Sequence, residues 1–202
     1  MSRLPTPTLI SQRNSWINWR DRSPDNSART LAERVFRSQR MRIIGVDPGT
    51  ATTGFGIIEY DRGKSTFVDA GVITTPPDQP MPLRLITIHT ELGQVIADTR
   101  PDESAVELLY FATNVTTAIS VGQARGVILL TLAEAGLIPA EYTPMQIKQA
   151  VTGYGGAKKP QIQEMVRVLL KLAVIPRPDD AADGLAIAIT HAGQNIRPVL
   201  PA

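Results

Sequence analysis

The sequence predicts an α/β protein built on a mixed five-stranded sheet flanked by helices. Two observations carry that expectation. Three strand-like runs precede any helix, and after them helix-period runs alternate with short strands, giving the order βββαβα(β)αα. The first three strands are joined by short Gly-containing turns and so pair antiparallel. The later ones return through helical crossovers and so pair parallel.

The first strand lies in Arg42–Asp47, where a β-branched run ends on a carboxylate and breaks at once into Pro48-Gly49. Gly54–Tyr60, the turn Asp61–Lys64 and Thr66–Thr74 complete a meander that the prolines at 76, 77 and 80 end. Leu83, Ile86, Leu92, Val95 and Ile96 recur at helical spacing up to about Thr99, with Pro101 as the stop. Ser104–Leu109 reads as an apolar strand interrupted by Glu107, and Val115–Ala135 as a long helix that is apolar nearly all round. Glu141–Thr143 is a brief strand or turn, and Thr143 with Pro144 makes the N-cap and first-turn proline of a helix through Ala150. A basic, flexible loop, Gly153–Lys159, fits no phosphate-loop pattern. Helices over Gln161–Leu172 and about Asp179–His191 close the chain.

With 202 residues, 43% of them hydrophobic, the chain can bury a core that needs no staples. The absence of cysteine removes disulfide frameworks and thiolate metal sites and suits a reducing compartment, so a cytoplasmic protein is expected. The longest apolar run, Val127–Leu132 broken by Thr131, falls far short of the ~20 residues of a membrane span, and no membrane partner is expected.

Charge divides the chain. Residues 1–40 hold eight arginines against Asp21, Asp25 and Glu33, a surplus of five, so with +2 overall residues 41–202 carry −3. The first 40 residues also hold both tryptophans and show no strand pattern; only Leu31, Val35 and Phe36 permit a short amphipathic helix. They are expected to be a basic, disordered extension outside a fold spanning 41–202. An upstream-translated segment, with Met41 as the natural start, is preferred over a nucleic-acid arm or a targeting peptide. Within the body, Lys148, Lys158, Lys159, Arg167, Lys171 and Arg177 form a basic segment opposed only by Glu164. A basic segment beside clustered carboxylates points to a polyanion held against metal ions.

Four acids form that cluster. Asp47 ends the first strand. Glu107 lies within an apolar strand, where an ionised side chain is costly unless compensated; the alternative is an edge-strand Glu facing water. Asp180 and Asp183, spaced i, i+3, share a helix face near its positive N-terminus, and Asp179 reads as the N-cap. Such a set suits hard cations, and two Mg2+ or Mn2+ ions about 3.5–4 Å apart would activate water and stabilise a departing 3′-oxygen in phosphodiester hydrolysis. His191, on the same face as Asp183 but two turns on, reads as a core or C-terminal cap histidine, and His89 as a helix-surface residue.

With these residues in place the chain resembles the RuvC family of Holliday-junction resolvases, within the RNase H-like superfamily, from Met41 to about Gly193. The resemblance lies in Ile44–Thr50, Val106-Glu107, Gly122–Gly126, Ile147–Gln149, Asp180–Asp183 and Ala186–His191. It implies an RNase H-like nuclease domain over 41–202 with Asp47, Glu107, Asp180 and Asp183 as catalytic, metal-binding acids. It also implies a homodimer that nicks two symmetric strands of four-way junction DNA in recombination and repair, with a branch-migration motor as partner. Lys148 and Lys159 match basic residues of the family's DNA-binding surface, and Lys158 lies beside them. Tyr110 falls where the family has an aromatic at the junction centre and is followed by Phe111. An RNase H-like relative acting on another nucleic acid, such as in rRNA processing, is an alternative. An actin- or sugar-kinase-type phosphotransferase is another, but it needs two phosphate-clamping domains, and this chain offers one loop and too little length.

Overall fold

The computed structural model describes residues 40–108 and 115–194, without the side chains of 115–117. Strands β1 (Met41–Asp47), β2 (Thr52–Asp61) and β3 (Lys64–Thr74) form the meander, and β4 (Glu103–Glu107) and β5 (Ala140–Tyr142) complete a sheet of order β3-β2-β1-β4-β5. The first three strands pair antiparallel, while β1–β4 and β4–β5 pair parallel. The helices are α1 (Met81–Thr99), α2 (Val115–Glu134), α3 (Pro144–Thr152), α4 (Lys159–Leu169) and α5 (Asp179–Gln194). The expected extension at 1–40 lies, but for Arg40, outside the described residues, as do Tyr110 and Phe111.

Most local expectations hold, and the exceptions have causes. Thr143 caps α3 with its side chain, and Gln146 completes a reciprocal capping box. The strand at 103–107 ends on Glu107 rather than enclosing it, although Leu108 N–H still reaches Tyr142 C=O at 2.8 Å. Asp179, expected as the N-cap of α5, is its first residue. The helix opens one position earlier, with Ala181 N–H donating to Pro178 C=O, and Arg177 takes the Asp179 carboxylate at 2.6 Å. The loop at 153–158 is tied down, since Gln149 both donates to Gly153 C=O and accepts from Gly155 N–H.

Strand alternation divides the core in two. Ile43, Ile58 and Ala105 meet α3, α4 and α5 through Ile147, Val151, Ile162, Val166, Leu185 and Ile187. Ile44, Val46, Ile57, Ile73 and Val106 meet α1 and α2 through Ile88, Leu92, Ile96, Ala124, Ile128 and Leu132. Ala124 therefore lies inside the core. A helix apolar all round carries no moment to say which side faces the sheet. Ile119 and Leu130 stay more than half exposed. His89 lies on the outside of α1, paired with Glu134 of α2 at 2.8 Å.

Helix α5 lies on β1 and β2 at backbone distance. A Cβ at Gly45 would strike Gly184 O, one at Gly54 Asp180 O, one at Gly56 Leu185 N, and one at Gly184 the Phe55 backbone. These four positions let the helix settle where a side chain would lift it. Gly184→Ala or Gly56→Ala should therefore lose roughly 1–3 kcal/mol or more in urea unfolding. Gly93→Ala, within α1 and meeting only Thr131 Cγ2 at 3.9 Å, should gain about 0.5–1 kcal/mol. Equal values at the three sites would refute close packing as the reason.

Candidate active site

The same alternation that sorts the core aims the acids. On β1, Ile43 and Gly45 face α5 and Asp47 follows in phase; on β4, Ala105 faces α5 and Glu107 follows. Because β1 and β4 are parallel neighbours with Val46 opposite Val106, the two carboxylates leave adjacent strand ends side by side. Helix α5, seated on the glycines, brings the first turn of its N-terminus over them. Asp47, Asp180 and Asp183, all half-buried, each place a carboxylate oxygen within 4.8 Å of the others. Glu107 joins the group through its hydrogen bond to Asp47.

Electrostatics describe a site with more negative charge than it can hold alone. Burial raises Asp47 to about 6, partly relieved by the hydrogen bond from Glu107, with Asp183 and Asp180 pushing the same way as burial. Burial, and then the Asp47 charge and the hydrogen bond with Asp47, raise Glu107 to about 8. Burial also raises Asp183, only partly offset by Lys159, whose Nζ lies 2.9 Å from Asp183 Oδ2. Burial works against the Lys159 ammonium, but its contacts with Asp183 hold it above the usual lysine value. Oxygen-only donors at this spacing, crowded and desolvated, fit a hard divalent cation, which would relieve the repulsion that lifts Asp47 and Glu107.

A cleft opens beside the acids. Glu107, Asp183, Lys148 and Lys159 line it over an apolar floor that includes Ile147, Ile162 and Ile187. Lys148 and Lys159 thus both edge the cleft, with Lys159 engaged with Asp183. Lys158 is exposed just before α4. The floor residues and the Lys159–Asp183 pair escaped sequence reasoning: the isoleucines read only as core, and no spacing signals a pairing between separate helices. His191 is a buried core histidine away from the acids, bonded to Tyr142 and Glu103.

The chain is similar to known proteins. A family model described as crossover junction endodeoxyribonuclease RuvC matches residues 43–191. A protein of that name from Chloroflexus aurantiacus is 58% identical over 152 residues, 75% of this chain and 93% of its own length. One from Brevibacillus brevis is 55% identical over 152 residues, covering 75% of this chain and 92% of its own. Among solved structures, Thermus thermophilus RuvC in complex with a Holliday junction substrate superposes with a TM-score of 0.73 at 38% identity, covering 77% of this chain and 94% of that one.

Raised carboxyl pKa values carry a sign for stability. A folded-state pKa above the unfolded one means the folded protein binds the proton more tightly, so its stability falls as pH rises between the two values. For Glu107 that window runs from its ordinary 4.5 up to about 8. Metal-free protein should therefore unfold at progressively lower temperature as pH is raised across the window, and Glu107→Gln should flatten the dependence. A wild-type melting temperature independent of pH there would contradict the crowded, desolvated cluster.

Proposed function

The chain belongs to the RuvC family of crossover junction endodeoxyribonucleases, and from that premise we propose that it resolves four-way (Holliday) DNA junctions by paired, symmetric phosphodiester hydrolysis in recombination and repair. The observation that carries this reading is the convergence of Asp47, Asp180 and Asp183 within 4.8 Å, with Glu107 bonded to Asp47, beside a cleft edged by Lys148 and Lys159. Two Mg2+ or Mn2+ ions, which these acids would hold, would supply Lewis-acid stabilisation for phosphodiester hydrolysis. The chain's own residues do the rest. The four carboxylates would hold the cations, the α5 N-terminus adds its positive dipole end to the site, and Lys148, Lys158 and Lys159 would attract and orient the phosphate backbone. Tyr110 and Phe111 are assigned to stacking on bases unpaired at the crossover, Tyr110 foremost. The reading carries with it a cytoplasmic location and a branch-migration motor as partner; among the described residues no helix is long and apolar enough to cross a membrane.

We further propose that the working unit is a homodimer over residues 41–202, with residues 1–40 outside the catalytic fold. Two symmetric scissile strands call for two acid clusters related by a two-fold axis. Helix α2 supports this, because Ile119 and Leu130 remain exposed on it at 60% and 54%. Gln123 and Gly126 are exposed between them, at the spacing of one helix face.

Asp47→Asn, Glu107→Gln, Asp180→Asn and Asp183→Asn should each reduce cutting of a synthetic four-way junction to background while junction affinity stays within about threefold, since binding rests on salt-dependent phosphate contacts. Lys148→Ala and Lys159→Ala should each lower the slope of log affinity against log salt by about one. A variant acid that cuts at the wild-type rate would remove that residue from the site.

A protein beginning at Met41 should sediment as a dimer at micromolar concentration and cut the junction at full rate, and Leu130→Glu should make it a monomer. A monomer that still cuts both strands in concert would defeat the dimer. A loss of junction affinity beyond about tenfold on truncation would give residues 1–40 a role in binding.

A further inference from the structure

The second acid on the α5-facing side of β4 is Glu103, four residues before Glu107 at the far end of the strand. Its Oε2 lies 2.7 Å from His191 Nε2, and His191 Nδ1 lies 2.8 Å from the Tyr142 hydroxyl. An imidazole donating from Nε2 to the carboxylate leaves Nδ1 to accept from the Tyr142 O–H, so both ring nitrogens are used. His191 is 8% exposed. Its ring and that of Tyr142 also pack, with centroids 5.9 Å apart.

The elements joined by this bridge are those that carry the acids. Helix α5 bears Asp180 and Asp183 at one end and His191 at the other; β4 bears Glu107 and Glu103 in the opposite order. From Asp183 to His191 the helix rises about 12 Å, and from Glu103 to Glu107 the strand runs about 13 Å. The two lengths match, so fixing His191 on Glu103 sets the axial position of Asp183 against Glu107. Tyr142 adds a third hold, since it pairs with Glu107 in the β4–β5 ladder and its C=O accepts from Leu108 N–H.

We propose that His191 is a positioning residue for the metal-holding acids: with Tyr142 and Glu103 it pins the far end of α5 to β4 and β5 and thereby sets the spacing of Asp180 and Asp183 against Asp47 and Glu107. The inference rests on the metal-dependent nuclease reading and adds to it a distant determinant of the site. Its expected signature is selective. Mg2+ demands near-ideal octahedral geometry, so a small slip of α5 weakens Mg2+ binding more than binding of a more tolerant ion such as Mn2+.

The test measures Mg2+ and Mn2+ binding by calorimetry without DNA, together with melting temperature and junction affinity. His191→Ala should weaken Mg2+ binding roughly tenfold, the low end of what supporting partners of metal ligands cost. Mn2+ binding should fall less, and junction affinity should be unchanged. Tyr142→Phe, which removes one oxygen, should shift the Mg2+/Mn2+ ratio in the same direction by less, and it carries the test if His191→Ala does not fold. Glu103→Gln keeps an acceptor for His191 and should restore near-wild-type values. Variants that melt earlier but keep the wild-type Mg2+ affinity and Mg2+/Mn2+ ratio would overturn the inference, leaving the bridge a merely structural one. A wild-type protein that binds neither ion and leaves the junction uncut would instead overturn the nuclease reading.

Discussion

The site depends on a helix lying on a sheet with almost nothing between them. Gly45, Gly54, Gly56 and Gly184 remove the side chains that would hold α5 away from β1 and β2. The helix N-terminus thereby reaches the strand end that Asp47 occupies. Side chains at those four positions would lift the helix and carry Asp180 and Asp183 away from Asp47. The glycines cost backbone entropy in the unfolded chain, and the fold spends that stability on proximity.

Proximity in turn creates electrostatic strain. Half-buried carboxylates at these distances repel one another, and the protein answers in two ways: Asp47 and Glu107 share a hydrogen bond, and Lys159 places its ammonium on Asp183. Both answers are reversible. A dication entering the cluster would compete with protons and with Lys159 for the same oxygens, so cation binding would be linked to proton release and to breaking the Lys159–Asp183 pair. The repulsion among the carboxylates would thus favour loading of the site by a cation.

The helices around this cluster divide their labour. Helices α3 and α4 each bring a lysine to the cleft, Lys148 within the one and Lys159 at the start of the other, while Ile147 and Ile162 beside them build its apolar floor. On the opposite sheet face α2 buries Ala124, Ile128 and Leu132 against α1 and leaves Ile119 and Leu130 uncovered. One face of the sheet thus carries the candidate acids, and the other carries the exposed positions proposed for contact with a second copy.

The succession of strands and helices along the chain and the four acids as candidates were legible in the sequence, because each is written locally. A period of two or of 3.6 needs only a short window, Pro-Gly after a strand marks its end, and a Glu closing the run Ser104-Ala105-Val106 is an anomaly that asks for compensation. Which residues meet across elements was not written there. The side of α2 that faces the core, the place of Asp179 inside its helix, the Lys159–Asp183 pair and the His191 bridge to Tyr142 and Glu103 follow from the seating depth and axial position of helices on the sheet. Those quantities are set by the summed packing of both core layers, and no single stretch of residues encodes them. The sequence by itself therefore determined the identity of the acids and the topology that could gather them, while the tertiary structure alone decided how closely they gather and which neighbours answer their charge.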